Sequence, residues 1–219
     1  NCGGCGYAGC SGLAAAIAKG EAPVNACPVG GEAVGGRIAA IMGVEAASSE
    51  KKVAFVACMG DCDKANRDYE YHGALDCRMA GFVPGGGPKT CKSGCLGYGT
   101  CVAACPFDAI HIVNGVAAVD REKCKACGKC VAVCPKHLIT LIPYKAKYVV
   151  ACSSTDKGPA TMKACTGGCI GCGLCARSCK EQAVAVTDFH ALIDQEKCSG
   201  CGACAEKCPK KCILNVDSP

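Results

Sequence analysis

The 219-residue chain contains 26 Cys but no Trp and only 4 Phe, and its formal net charge is +5. This cysteine content excludes an ordinary globular domain with a few incidental core thiols, and no run approaches the ~18 apolar residues that a membrane span needs. The positive charge assumes neutral thiols, so it does not by itself favour a nucleic-acid partner.

The first cysteine-rich segment runs from residue 1 to about residue 45 and contains four thiols, Cys2, Cys5, Cys10 and Cys27. Four thiols fit one [4Fe–4S] cluster, and a structural zinc ion stays an alternative because it also takes four Cys. Ser11 is predicted to cap a short helix over Leu13–Lys19 that ends at Gly20. A second helix is predicted over Glu32–Met42, ending at Gly43.

From Lys51 onward the chain repeats itself. A predicted strand at Val53–Cys58 has an echo at Tyr148–Cys152, and each is followed, after an insert of variable length, by a similar cysteine loop. The alignment of the two copies pairs Cys58 with Cys152, Cys91 with Cys165, Cys95 with Cys169, and Cys101 with Cys175.

Each copy also contains a predicted hairpin after its cysteine loop. In the first copy the strands are Ile110–Val113 and Val116–Asp120, joined at Asn114-Gly115; in the second they are Val184–Val186 and Leu192–Asp194.

Each copy ends in a C-x2-C-x2-C-x3-C-P run, formed by Cys124, Cys127, Cys130, Cys134 and Pro135 and by Cys198, Cys201, Cys204, Cys208 and Pro209. This is the bacterial ferredoxin run, in which three Cys bind one cluster and the fourth binds a second one. A single zinc ion fits less well, because its ligand pairs are usually separated by a longer segment.

The second copy has a complete partner run, Cys169, Cys172, Cys175 and Cys179, with Lys180 in the place of the proline. Crossed ligation therefore predicts two clusters, one on Cys169, Cys172, Cys175 and Cys208 and one on Cys198, Cys201, Cys204 and Cys179.

The first copy lacks one ligand, because Tyr98 stands where the run requires its second Cys. Cys91 is the nearest replacement in the sequence. The prediction is one cluster on Cys91, Cys95, Cys101 and Cys134 and its neighbour on Cys124, Cys127, Cys130 and Cys105.

Six thiols remain unassigned, namely Cys58, Cys62, Cys77, Cys152, Cys165 and Cys212. Cys58, Cys62 and Cys77 with one further thiol, such as Cys91, would make a sixth cluster and leave the Tyr98 site with three ligands. The alternative is that they are buried reduced thiols that pack as small apolar groups, which is the role expected for Cys212.

These motifs predict an α+β protein with five [4Fe–4S] clusters and room for a sixth. The expected domains are a small N-terminal [4Fe–4S] domain (1–48) and two ferredoxin-like two-cluster modules, 49–146 with a Cys-containing insert and 147–219. Each oxidised cluster with its thiolates carries about −2, so five would change the charge from +5 to about −5. No nucleic-acid partner is therefore expected. The core is thin, and we expect the chain to be largely disordered without metal.

The sequence resembles the B subunit of the Rnf complex, a membrane-bound ferredoxin:NAD+ oxidoreductase that pumps sodium ions or protons. The resemblance covers nearly the whole chain. It rests on the opening Asn1–Cys10 motif and on Cys27-Pro-Val-Gly-Gly31, Tyr69-Glu-Tyr71, Asp76-Cys77, Gly94-Cys-Leu-Gly97 and Cys105-Pro-Phe-Asp-Ala-Ile110.

The resemblance implies an electron-transfer subunit of this translocating enzyme, with no substrate-converting site of its own. Soluble ferredoxin would be the electron donor and other subunits of a membrane complex the acceptors, at the cytoplasmic face of the cell membrane of an anaerobic prokaryote. Membrane contact would come through partners or through an N-terminal anchor preceding Asn1. Two rivals are a polyferredoxin-type subunit of a soluble flavin-containing bifurcating oxidoreductase and a reductive activator of a corrinoid protein.

Overall fold

The computed structural model describes residues 1–45 and 50–217. It contains short helices and short antiparallel strands, as predicted for an α+β iron–sulfur protein. The domain boundary predicted at residues 48 and 49 lies outside the described residues.

The N-terminal part contains two helices, α1 (Gly9–Ala18) and α2 (Gly31–Met42). Helix α2 agrees with its prediction, and Gly43 ends it in the left-handed conformation at φ +66°. The prediction for α1 was wrong at its start, because the helix begins at Gly9 and Ser11 makes no cap. Instead, the Asn1 side chain accepts a hydrogen bond from the Cys10 amide at 2.6 Å, so a residue from outside the helix satisfies its first turn.

The first half of the remaining chain, residues 50–146, contains four strands and three short helices. In chain order they are β1 (Lys52–Val56), α3 (Cys77–Ala80), α4 (Thr100–Ala103), β2 (Ile110–Val113), β3 (Val116–Val119), α5 (Lys129–Val133) and β4 (Ile139–Pro143), with a 3-10 turn at Pro84–Gly86. Strand β1 pairs antiparallel with β4, and β2 pairs with β3.

The second half, residues 147–217, repeats this arrangement. Its elements are β5 (Tyr148–Val150), α6 (Gly158–Ala164), α7 (Leu174–Ser178), β6 (Val184–Thr187), β7 (His190–Ile193), α8 (Ala203–Glu206) and β8 (Ile213–Asn215). Strand β5 pairs with β8, and β6 pairs with β7. In both halves the first and last strands therefore enclose two short helices, a hairpin and a third short helix, in that order.

The first hairpin turns at Asn114 and Gly115, whose φ values of 46° and 77° are those of the predicted two-residue turn. The second hairpin differs slightly from its prediction. Asp188 and Phe189 form its turn at φ 48° and 59°, so strand β7 begins at His190 rather than at Leu192. The sequence signal was weaker there because neither turn residue is glycine.

Each half has its own buried core, and cysteine is a large part of both. The core of the first half contains 13 buried residues, of which four are cysteines. The core of the second half contains 10 buried residues, of which six are cysteines. Thiols therefore take the place that larger apolar side chains hold in an ordinary domain.

The two halves are joined by a short antiparallel backbone contact. The Asn66 amide donates to the Ala164 carbonyl at 2.9 Å, and the Thr166 amide donates to the Lys64 carbonyl at 2.9 Å. This contact brings the segment after β1 against the end of α6. Within residues 1–45 and 50–217, none of the helices has the length and apolar character to cross a lipid bilayer.

Candidate metal centres

Three small cavities are each lined by four thiols. Two of them lie within the first half and the third lies where the halves meet. Among the described residues, no three His, Cys, Asp or Glu side chains converge as ligands of a single metal ion. Thiols spaced around a cavity instead fit a cubane, in which each iron takes one thiolate.

The first of these cavities is lined by the thiols predicted to share a cluster, which we call the outer group of the first half: Cys105, Cys124, Cys127 and Cys130. Burial, together with the neighbouring Cys124, Cys127 and Cys105, raises the pKa of Cys130 to about 11. Backbone amides point at two of the sulfurs, from Ala54 to Cys124 at 3.4 Å and from Ala109 to Cys105 at 3.5 Å. Amide donors of this kind stabilise thiolate ligands.

The second cavity is lined by the inner group of the first half, Cys77, Cys95, Cys101 and Cys134. Burial, together with the neighbouring Cys95, Cys77 and Cys134, raises the pKa of Cys101 to about 12. The four thiols are therefore close neighbours. The predicted set had Cys91 in place of Cys77, and the structure does not bring Cys91 to this cavity.

Local structure explains how Cys77 reaches this position. Asp76 caps α3 by accepting from the amides of Arg78 and Met79 at 2.7 and 3.3 Å, and the Cys77 amide donates to Thr100 Oγ1 at 2.7 Å. Arg78 in turn holds the pKa of the Asp76 carboxyl below its usual value.

Tyr98, which occupies the missing cysteine position, packs on Tyr71 with ring centroids 5.3 Å apart. Tyr71 belongs to the insert that carries Cys77, so the residue that interrupts the run contacts the segment that supplies the replacement thiol. No sequence spacing indicated this pairing.

Cys91 lines the third cavity, together with Cys58, Cys152 and Cys165. We call these four thiols the bridging group, because two come from each half. Cys62, another residue considered for a sixth cluster, lines none of the three cavities. It is exposed against the first hairpin, and its sulfur accepts a hydrogen bond from Arg67 Nη2 at 3.7 Å.

In the second half, the thiols of the inner group are Cys169, Cys172, Cys175 and Cys208. Burial raises the pKa of Cys175, and the thiols of Cys169, Cys208 and Cys172 contribute to this increase, so all three lie near Cys175. The crossed ligation of a cluster by these four thiols stays a prediction. Cys212 lies beside this group, 3.6 Å from the Cys208 sulfur. The hydrogen bond between Cys212 and Cys169 lowers the pKa of the Cys169 thiol and raises the pKa of Cys212.

The thiols of the outer group of the second half are Cys179, Cys198, Cys201 and Cys204. Burial raises the pKa of Cys204, the Ala205 amide opposes this, and the nearby Cys198 raises it again. The Ala183 amide donates to the Cys179 sulfur at 3.3 Å, which matches the contact of Ala109 with Cys105 in the first half. Cys201 is exposed.

In the N-terminal part, Cys5 and Cys27 pack against the small core formed by α1 and its following loop. Two amides donate to sulfurs there, from Gly4 to Cys2 at 3.5 Å and from Gly30 to Cys27 at 3.3 Å. Cys10 lies in the first turn of α1 and is exposed.

Three family models match separate parts of the chain. A model described as a putative Fe-S cluster matches residues 1–29, one described as the LdpA Fe-S cluster-binding domain matches residues 101–145, and one described as a 4Fe-4S dicluster domain matches residues 168–212. Each match contains cysteines of the groups described above.

Similar proteins cover most of the chain. The B subunit of a Na(+)-translocating ferredoxin:NAD(+) oxidoreductase complex from Acetobacterium woodii is 50% identical over 198 residues, 90% of this chain and 59% of the relative. The B subunit of an ion-translocating oxidoreductase complex from Methanosarcina acetivorans is 45% identical over 198 residues, 90% of this chain and 75% of the relative. The B subunit of a proton-translocating ferredoxin:NAD(+) oxidoreductase complex from Clostridium ljungdahlii is 45% identical over 196 residues, 89% of this chain and 69% of the relative.

Proposed function

We propose that this chain takes electrons from reduced ferredoxin and delivers them into an ion-translocating complex. The premise is that the chain belongs to the family of B subunits of Rnf-type ion-translocating ferredoxin:NAD(+) oxidoreductase complexes. The relatives are named as subunits of an oxidoreductase, so the role is electron transfer within a larger enzyme. Other subunits of the complex would receive the electrons at the cytoplasmic face of the membrane. The chain itself would convert no substrate.

The main observation that supports this proposal is the number of four-thiol groups in one small protein. Five groups would each hold a [4Fe–4S] cluster: the N-terminal group (Cys2, Cys5, Cys10, Cys27) and the inner and outer groups of both halves. For the inner group of the first half we propose Cys77, Cys95, Cys101 and Cys134, because these four thiols line one cavity. When bound, such clusters supply one-electron oxidation and reduction.

The protein supports this chemistry by holding thiolates in a shielded place. Cys95, Cys101 and Cys130 are buried, and burial raises the pKa of each thiol. Metal binding must therefore displace the proton, and the backbone amides then stabilise the charged sulfur. The same burial keeps water away from these ligands.

The groups also follow one another in space, which supports transfer through the chain. The loop of the N-terminal part lies against the outer group of the first half, because a side chain at Gly4 would approach the Cys127 Cβ to 2.7 Å. At the two ends, Cys10 and Cys201 are exposed and accessible to a partner. An electron donor and an acceptor would thus have separate places to dock.

The test is reduction of the anaerobically purified chain in a stopped-flow instrument by enough reduced ferredoxin to supply one electron per cluster, with the absorbance change of the ferredoxin itself subtracted. We expect the visible absorbance of the clusters to bleach, as it does with dithionite, whereas oxidised ferredoxin leaves it unchanged. Bleaching by dithionite but not by reduced ferredoxin would contradict the proposal. A stoichiometric amount of flavin released on denaturation would instead favour the bifurcating enzyme.

A further inference from the structure

The cavity between the two halves is lined by thiols that belong to no ferredoxin run. We propose that the bridging group, Cys58, Cys91, Cys152 and Cys165, holds a sixth [4Fe–4S] cluster, with two ligands from each half. This inference rests on the proposed electron-transfer function and extends it. It differs from the expected sixth site, which combined Cys58 with Cys62 and Cys77.

The lining of the cavity is the first reason. It contains four thiols among largely apolar groups, as do the linings of the two cavities formed by the inner and outer groups of the first half. Cavities with the same donor set are suited to the same occupant.

The second argument is the internal repeat. Cys58 follows the end of β1 by two residues and Cys152 follows the end of β5 by two, while Cys91 and Cys165 each precede the first cysteine of their loop by four positions. The group is therefore made of two equivalent pairs that face each other across the junction. The backbone contact between Asn66 and Ala164 holds the two halves together beside it.

The third argument is that the surroundings suit thiolates. The Cys95 amide donates to the Cys58 sulfur at 3.3 Å, and the Ser154 amide donates to the Cys152 sulfur at 3.5 Å. The Cys169 amide also donates to Cys152, which is the equivalent of the bond from Cys95 to Cys58. Neutral thiols are weak acceptors, so paired amide donors favour charged sulfur.

Burial and charge point in the same direction. Cys152 and Cys165 are buried and Cys58 and Cys91 are half-buried, and all four line the same cavity, so the four sulfurs are neighbours largely shielded from water. The ammonium group of Lys89 is buried and donates to the carbonyls of Gly60, 2.6 Å away, and Gly115, 3.2 Å away, and Gly60 lines the cavity. A buried cation bonded to the wall of this cavity is a favourable arrangement when the sulfurs inside carry negative charge.

This site would connect the two halves. The Cys58 sulfur contacts the amide of Cys95, a ligand in the inner group of the first half, and the Cys152 sulfur contacts the amide of Cys169, a ligand in the inner group of the second half. The two inner groups therefore have the bridging group between them. The thiol groups then form one row from the N-terminal part to the outer group of the second half.

The test compares iron and acid-labile sulfide per chain in four anaerobically purified proteins: wild type, Cys58→Ala, Cys152→Ala and the control Cys62→Ala. We expect about 24 irons in the wild type and in the control, since six cubanes contain four irons each. Cys58→Ala and Cys152→Ala are expected to contain about 20 irons, or about 23 where a three-iron cluster survives on the remaining thiols. One ligand is removed from each half, so the result does not depend on the folding of a single variant.

About 20 irons in the wild type, with no loss in either variant, would overturn the inference and leave the five-cluster function standing. One equivalent of zinc that is present in the wild type and lost in Cys58→Ala would overturn it as well. Where neither variant folds, the spin count of the dithionite-reduced wild type decides, because six rather than five reducible clusters are expected. Little iron in any of the four proteins would instead contradict the proposed function itself.

Discussion

The two halves have the same order of strands and helices but complete their inner groups differently. The second half takes three thiols of its inner group from one loop, and its Cys172 is exposed. The first half has Tyr98 at that position and receives Cys77 from the insert, where the thiol is buried. The fourth thiol of a group can thus come from another segment, which then covers the cavity.

The halves also differ in what their cores contain besides cysteine. Ile110, Leu138 and Val53 are among the largest fully buried side chains of the first half. The core of the second half has only four buried residues that are not cysteine, Val150, Val184, Ala191 and Ile213. The second half should therefore depend more strongly on its metal.

The largest expected effect is that of metal removal. Oxidation with ferricyanide in the presence of EDTA should abolish cooperative unfolding of the whole chain, because little apolar surface remains to stabilise it. Amide hydrogen exchange should reach the rate of an unfolded chain in β5 and β8 before it does so in other strands. Residual protection in β1 and β4 is expected, and equal protection in both halves would show that the difference between the cores has no effect.

The next effect is the loss of one inner group. Cys77→Ser should reduce the iron content by about four atoms per chain, because one cubane loses a ligand. Adding Tyr98→Cys to this variant recreates the run found in the second half and should restore those irons. Iron and sulfide analysis of the single and double variants measures both changes.

A matched control distinguishes Cys77 from Cys91. Cys91→Ser should also lose about four irons, since it belongs to the bridging group, but Tyr98→Cys should not restore them. If Tyr98→Cys restores the iron content of Cys91→Ser, and Cys77→Ser has its full iron content, then Cys91 and not Cys77 belongs to the inner group of the first half.

A smaller effect concerns the charge near the bridging group. Lys89 is buried, whereas its counterpart in the second half, Lys163, is exposed. For an ammonium about 10 Å from a cluster and an effective dielectric constant of about 20, Lys89→Met should disfavour the reduced state by about 1–2 kcal/mol, or about 40–90 mV for one electron.

Redox titration followed by EPR measures this shift, which should be towards lower potential. Lys163→Met provides the control and should shift the potential much less, because solvent screens its charge. Equal shifts in the two variants would mean that burial of Lys89 does not matter.

The smallest effect is expected at Cys212, which stands where the first half has Leu138. The Cys212 carbonyl accepts a hydrogen bond from the Ala151 amide, and the Leu138 carbonyl accepts one from the Ala57 amide, each at 2.8 Å. Cys212→Ala should therefore lower the free energy of unfolding by about 1 kcal/mol and leave the iron content unchanged. Cys208→Ala, by contrast, should lose iron, and loss of iron in Cys212→Ala would make Cys212 a ligand.

Much of the fold could be predicted from short-range signals. Gly43 marked the end of α2, Asn114-Gly115 marked the first hairpin, and the ferredoxin runs indicated which thiols gather in the second half. The start of α1 could not be predicted, because the Asn1 side chain that satisfies its first turn lies outside the capping position that sequence patterns describe.

The long-range pairings were harder for a physical reason. Cys77 reaches its cavity through the packing of Tyr71 on Tyr98, and no spacing rule describes a contact between an insert and a loop. The bridging group did leave a signal. The repeat alignment already paired Cys58 with Cys152 and Cys91 with Cys165, and equivalent residues of two repeats often meet where the repeats pack.

The central claim is that this chain is an electron carrier built around many cubane clusters. The most direct test is the iron and acid-labile sulfide content of the intact wild-type chain, purified without oxygen, with EPR after dithionite reduction. The account predicts about 24 of each per chain and signals from reduced [4Fe–4S] clusters. A few zinc ions with little sulfide and no such signals would contradict it.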